Sequence, residues 1–336
     1  MTPSRRNAQT GFSLIELLVA LAITALLIIG AVTMYSQSRN TFRAAEAVAR
    51  LQENARYAMS FIETDVRMAN YWGLNSRPDY IQMGGVATNA CQAGWATNIL
   101  QFIEGFNGSK GLACIGDAEY QDGSDVIVIR RAAADRETGN LTKDAIYIQS
   151  SRIQGTLFKA TTYTVPGVDE DGKPIDEEKD CKANVEACLP SGYLPPQSET
   201  HQLLVHAYYV SPDSVGRAGV PSLRRIRLVA GPDDLPEEII AGIEDMQFQF
   251  GVDTDNNATV EYYVAPGTAL PAGARVVAVR VWLRVRSEEP DFTFEDGRTY
   301  AYAGVNYTPD SSGDANRYRR LLVSKTIQLR NTRYDE

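Results

Sequence analysis

The sequence predicts an α+β chain: one long N-terminal helix packed on a mostly antiparallel β-sheet domain. Three observations predict it. Phe12–Met34 holds one charged side chain, Glu16, and Leu17–Met34 is an uncharged run of 18 residues rich in Leu, Ile, Val and Ala. No proline stands between Pro3 and Pro78, and no glycine between Gly30 and Gly73. From Gln202 onward, apolar residues recur at every second position, the period of a strand with one buried face.

Leu17–Met34 is long enough to cross a hydrocarbon core, which takes ~20 apolar residues at a rise of ~1.5 Å each. Arg5 and Arg6 precede it. By the positive-inside rule the leader stays cytoplasmic, and everything after about Tyr35 faces the oxidising side. A cleaved secretory signal has the same basic start and apolar centre. Three features argue against that reading. The run is longer than a signal core. No small-x-small cleavage site follows, because Tyr35-Ser36-Gln37-Ser38-Arg39 continues as polar helix. Glu16 lies where a carboxylate costs ~2.5–3.5 kcal/mol on insertion.

The order Gly11-Phe12-Ser13-Leu14-Ile15-Glu16 resembles the processing signature of type IV prepilins, a likeness that covers about Arg5 to Met34. It implies cleavage after Gly11 by a membrane-embedded prepilin peptidase, which also methylates the new amino terminus at Phe12. It assigns Glu16 to filament register and assembly. Phe12 and Glu16 are spaced i, i+4 and so share a helix face. A carboxylate in lipid needs a partner. The freed amine of the same chain or of a neighbouring subunit can supply it, and pairing with a neighbour would set axial register. Many major pilins carry a helix-breaking proline in the outer part of this segment. Thr33 and Met34 stand there instead, which leaves Gly30 as the weak point.

Beyond the apolar run, Val48, Leu51, Ala55, Ala58, Ile62, Val66 and Ala69 recur at steps of three and four. Arg50, Glu53, Asn54, Arg56, Glu63 and Arg67 occupy the other side, so the helix continues as an amphipathic one that needs a sheet to lie on. Gly73 is the expected stop. A helix from Phe12 to about Trp72 would be ~90 Å long.

The chain of 336 residues is 44% hydrophobic and 22% charged, ordinary for a domain with a core. Its net charge of −9 and lack of a basic patch argue against nucleic acid. Arg224, Arg225 and Arg227, and Arg280, Arg284 and Arg286, are expected on solvated strand faces. Four cysteines follow the apolar segment: Cys91, Cys114, Cys181 and Cys188. An even count in an exported domain points to disulfides. Of the three possible pairings, Cys91–Cys114 with Cys181–Cys188 is the local one. A zinc site is the rival, but no CxxC spacing is present. Leu74–Gly123 reads as a disulfide-tied connection packed down by Trp95 and Phe102. Val168–Pro196 reads as an exposed acidic loop pinned by Cys181–Cys188, either a recognition loop or a variable insertion.

Strands are expected at Asp125–Arg131, Ile146–Ile148 and Phe158–Val165. Later, Leu203, Val205, Ala207 and Tyr209 share one face, as do Met246, Phe248, Phe250 and Val252. Val277, Val279, Val281, Leu283 and Val285 face away from Arg280, Trp282 and Arg284, and Leu321, Val323, Ile327 and Leu329 close the chain. Ile243–Asp255, Val277–Ser287 and Leu321–Asn331 resemble the PilW branch of minor pilins. That resemblance implies a structural subunit that helps prime pilus assembly at the tip. The expected partners are other minor pilins, the major pilin, the inner membrane and a large tip adhesin. The expected location is a single-pass inner-membrane protein with a periplasmic domain, later part of the extracellular pilus.

The expected organisation is a leader at 1–11, a membrane and filament-core helix at 12–34, its amphipathic continuation at 35–72 and a β-rich domain at 73–336. Asp253, Asp255 and Asn257 present oxygens at alternate positions, like the start of a calcium loop. Ala258 replaces that loop's turn glycine and Val264 its bidentate glutamate, so a hairpin turn is the preferred reading and no cofactor is expected. His201 and His206, five apart in a strand, fall on opposite faces. No GxSxG, Walker or HExxH sequence occurs, which argues against an enzyme. Two rivals stand beside the minor pilin: a type II secretion pseudopilin, and a membrane-tethered periplasmic enzyme or binding protein.

Overall fold

The computed structural model describes residues 13–83, 91, 94–137, 141–152, 154–160, 198–228 and 235–332. Helix α1 spans Leu14–Met68. The strands follow as β1 (Ile81–Met83), β2 (Ile103–Phe106), β3 (Val126–Ala132), β4 (Ile146–Ser151), β5 (Gly155–Lys159), β6 (Ser198–Ser211) and β7 (Ser222–Arg227). After them come β8 (Leu235–Ala241), β9 (Ile243–Asp253), β10 (Tyr262–Val264), β11 (Arg275–Arg286), β12 (Tyr300–Tyr302), β13 (Val305–Tyr307) and β14 (Arg320–Gln328). The chain divides into two compact units, one through Arg50 and one from Leu51 onward.

In the first unit none of the described side chains is buried. Over Leu17–Met34 the helix is apolar on every side, and it is the one described helix long and apolar enough to cross a membrane.

In the second unit the remaining turns of α1 bury Leu51, Ala55, Ala58, Met59, Ile62 and Val66, the face that the spacing predicts. The helix ends at Met68, four residues before Trp72. Asn70 adopts φ +64°, and the Tyr71 amide bonds back to the Met68 carbonyl at 3.1 Å. Asparagine tolerates this left-handed conformation and so closes the helix before Gly73 is reached.

The larger sheet runs β1-β5-β4-β6-β3-β2, with β7 joined to β6 and β8 to β7. Among the described strands only β1 and β5 pair in parallel. Strand β6 is its spine: Ser198–Gln202 pairs with β4, Leu203–Tyr208 with β3, and His206–Ser211 with β7. A second sheet runs β10-β9-β11-β14, all antiparallel. Strands β12 and β13 form a separate hairpin.

Helix α1 from Leu51, one face of β3 and β6, and the inner face of β9, β11 and β14 share one core that includes Ile127, Ile129, Tyr208, Phe248, Val281 and Leu283. The other face of β3 and β6 makes a second core with Trp95, Ile99, Leu112, Ile115 and Tyr120. These last residues come from the connection tied by the Cys91–Cys114 disulfide, which spans 23 positions. From Ala207 onward strand β6 therefore has no wet side. Leu203, Val205, Ala207 and Tyr209 face one core while Tyr208 and Val210 face the other. In β11 a bulge between Val276 and Ala278 shifts the register. It turns Val276, rather than Val277, toward the helix-bearing core.

Two buried polar groups fix these layers together. The Arg130 guanidinium donates to the carbonyls of Trp95 and Gln101 and to Glu104 at 2.7 Å, clamping the disulfide-tied loop onto β3. Asp125 accepts the amides of Gly108 at 2.8 Å and Phe248 at 3.0 Å, joining both sheets. Burial pushes its carboxyl up to about 6, against the two amide bonds that lower it and with the help of nearby Asp245. In the unfolded chain an aspartate titrates near ~3.9. Between about pH 4 and 6 the native state therefore holds more protons, and stability falls as pH rises through that window. The expected loss is about 2–3 kcal/mol by neutral pH. Asp125→Asn removes this titration. Denaturant melts from pH 4 to 7 should show the unaltered protein losing stability relative to the Asn variant, and parallel curves would refute the assignment.

Candidate functional site

The candidate site is the head of α1. Ser13 precedes the first helical residue, so it is the N-cap and Glu16 the third residue of the helix. The Glu16 amide donates to Ser13 Oγ at 3.3 Å. In return Glu16 Oε2 accepts the Ser13 amide at 2.9 Å and the Ser13 hydroxyl at 3.0 Å. This is a reciprocal capping box, which satisfies two of the amides a helix start leaves open. Its signature, S-x-x-E, stands in the sequence as Ser13-Leu14-Ile15-Glu16, and Ser13 is the site residue that the prepilin motif alone does not single out. Glu16 Oε1 takes no hydrogen bond among the described residues.

The rest of the apolar run is self-contained. Thr24 Oγ1 donates to the Ala20 carbonyl at 2.7 Å, and Thr33 Oγ1 to those of Gly30 and Ile29 at 2.8 and 3.0 Å. Both hydroxyls are thus answered within the helix, as a lipid environment requires. The Glu16 carboxylate is left as the polar group that can still take a partner. Gly11 and Phe12, the expected cleavage and methylation positions, lie outside the described residues. So do Cys181, Cys188 and the acidic stretch Val168–Pro196.

The turn after β9 gathers Asp253, Asp255 and Glu261, with ligand atoms within 4.8 Å of one another. Asp253 Oδ1 accepts the Asn256 amide and Oδ2 the Ala258 amide, each at 2.7 Å. Glu261 Oε2 accepts the Thr254 amide at 2.8 Å. Asn257 donates to Asp255 at 2.9 Å and turns its oxygen to the Thr259 amide at 2.7 Å. The carboxylates thus serve as acceptors for the turn's own backbone, which Asn256 and Ala258 enter with φ near +63°.

The two histidines join separate networks. His206 Nδ1 lies 2.6 Å from Asp65 of α1, and His201 Nδ1 lies 2.9 Å from the Ala133 carbonyl. Of the arginines expected on solvated strand faces, Arg227 is exposed and Arg280 half-buried, whereas Arg224, Arg225, Arg284 and Arg286 are largely covered. Arg225 is paired with Glu237, Arg224 with Glu119, and Arg284 with Glu244. Their counter-charges lie on β8, on β9 and in the turn at Asp117–Glu119, beyond the reach of local spacing.

Comparison with known families places both ends of the chain. Residues 6–32 match the prokaryotic N-terminal methylation motif, and residues 207–331, from β6 through β14, match the Type IV Pilus-assembly protein W family. No curated protein and no solved structure matches the chain. Both families belong to pilus structure and assembly rather than to enzymes. With an exposed apolar helix at one end and a sheet similar to that of an assembly protein at the other, the two matches support a PilW-like type IV pilin.

Proposed function

We propose that this chain is a structural minor pilin, made as an inner-membrane prepilin and then built into the pilus by its N-terminal helix. In this reading residues 1–11 are a leader cut after Gly11, and Phe12 becomes the methylated terminus. Residues 12–34 hold the protein in the bilayer and later in the filament core. Residues 35–68 continue the helix, and the β-rich part that follows forms a periplasmic domain. The enzyme acting on it is the prepilin peptidase, which also methylates. The subunits beside it are other minor pilins and the major pilin, at a tip that primes assembly and can carry a large adhesin.

The observation that carries this reading is the exposed apolar helix whose head holds a single carboxylate with an unbonded oxygen. A simple anchor gains nothing from that charge, whereas a subunit that must meet a neighbour's cationic amine does. The family match over residues 207–331 favours pilus assembly over secretion. A tethered enzyme would keep its leader and would require a catalytic constellation.

Mass spectrometry of the amino terminus tests the proposal. The mature protein should begin at methylated Phe12, and Gly11→Trp should keep the leader and begin at Met1 or Thr2. Normal processing of that variant would remove the site assignment. An unmodified, full-length native protein would remove the pilin cycle itself.

A further inference from the structure

We propose that the cleft where β11 ends is a binding site for a carboxylate presented by a peptide. The cleft holds about 260 Å³ and is lined by Arg284, Arg286, Glu244, Gln121, Pro221 and Tyr307, among others. It lies wholly in the second unit, and the inference does not depend on the filament reading.

The charges in the cleft are unequally served. Arg320 takes both oxygens of Glu244, with Nε at 2.8 Å and Nη2 at 2.9 Å. Arg284 Nε adds a third bond to Glu244 at 2.9 Å. Arg286 reaches the same carboxylate only at 3.9 Å. Its Nη2 donates to the Gly219 carbonyl. Its Nε is buried and has no acceptor among the described residues. The guanidinium lies over the Tyr318 ring at 4.0 Å, so that face is closed. A buried guanidinium has five N–H groups to satisfy, and leaving them unmet is unfavourable.

The neighbouring guanidiniums are better served. Arg284 also lies 3.7 Å from Asp245, and Arg320 lies 3.6 Å from Asp296. Arg286 is thus the buried guanidinium of the cluster with the weakest ion pair. A planar monoanion with two oxygens matches the guanidinium of Arg286, whose Nη1 has only the 3.9 Å contact to Glu244. A dianion would overshoot that charge and meet Glu244. The proline wall and the Gln121 amide suit a short stretch of peptide behind the carboxylate.

The source can be a chain end or an acidic side chain, and thermal unfolding of the full-length chain in detergent micelles separates them. The probes are an acetylated dipeptide with a free carboxylate, the same dipeptide as its amide, and an amidated dipeptide containing glutamate. Sodium chloride and inorganic phosphate at matched ionic strength are the references. At ten times its dissociation constant, a carboxylate ligand should raise Tm by roughly 2 °C. A rise with the free acid alone assigns a chain end, and a rise with the glutamate peptide alone assigns a side chain. Arg286→Gln should lose the shift. Should that variant fail to fold, Gln121→Trp, which fills the cleft and leaves the ion network intact, must lose it instead. No rise above the chloride reference, a larger rise with phosphate, or a rise that survives either substitution would overturn the site.

Discussion

Replacing Asp65 by alanine should destabilise the second unit by about 3–5 kcal/mol, the range for removing one partner of a buried charge pair. Asp65 lies on α1 and is 3% exposed. Its Oδ1 accepts Nε and Nη2 of Arg131 at 3.0 and 2.8 Å, and its Oδ2 faces His206 Nδ1 at 2.6 Å and the Tyr208 hydroxyl. One carboxylate thus ties the helix to β3 and β6. Its removal strands Arg131 between helix and sheet, which is worse than having no charge there. Burial pushes the Asp65 carboxyl up, but the His206 bond, the His206 and Arg131 charges and the Tyr208 hydroxyl outweigh it and hold the group well below the usual range. Stability from a depressed carboxyl is full above the unfolded value of about 3.9 and is lost as pH falls below it. Chemical melts should therefore show the largest gap between Asp65→Ala and the unaltered protein near neutral pH, closing toward pH 2. Asp65→Asn keeps the shape but not the charge and should recover only part of the loss. A difference under about 1 kcal/mol at pH 7 would mean the cluster is as weak as a surface pair.

That cluster also marks the limit of what the sequence tells in advance. Ile62, Val66 and their companions are legible because a helix face repeats within a few residues. The strands β9 and β11 are legible because apolar residues recur at every second position along Met246–Val252 and Val277–Val285, and β14 more weakly, with Lys325 interrupting its alternation. Asp65 and His206 are 141 positions apart, and neither is unusual where it stands. The same holds for Glu244, 40 positions from Arg284 and 76 from Arg320. Without that carboxylate in view, arginines alternating with valines look like a wet face. The bulge at Val276–Ala278 leaves no signature, since valine fits either side of it. Asn70 ends the helix ahead of Gly73 because the choice between two left-handed stops is made by packing. At the helix head the sequence says more. Both the prepilin order and the capping box lie within six residues, Gly11 to Glu16, because each is a local device.

The capping box gives the most discriminating test of that head. Glu16→Ala should be cleaved but should fail to enter filaments, since it removes both the cap and the charge. That result alone leaves open whether Glu16 serves by starting the helix or by meeting a neighbour's amine. Glu16→Gln separates the two, because glutamine at the third helical position still accepts the Ser13 amide but offers no charge. Losing a cap costs about 0.5–2 kcal/mol, a small sum for a helix held by lipid along its length. A neutral side chain cannot answer a cationic amine in a water-free filament core, where pairing decides register. Glu16→Gln is therefore expected to assemble as poorly as Glu16→Ala, with leader removal intact in both. Ser13→Ala, which weakens the cap but keeps the carboxylate, is expected to assemble nearly as well as the unaltered chain. Pilus recovery by shearing, with amino-terminal mass spectrometry on each variant, reads all three. If Glu16→Gln assembled normally while Ser13→Ala did not, the role of Glu16 would be to begin the helix, and the charged contact between subunits would have to be abandoned.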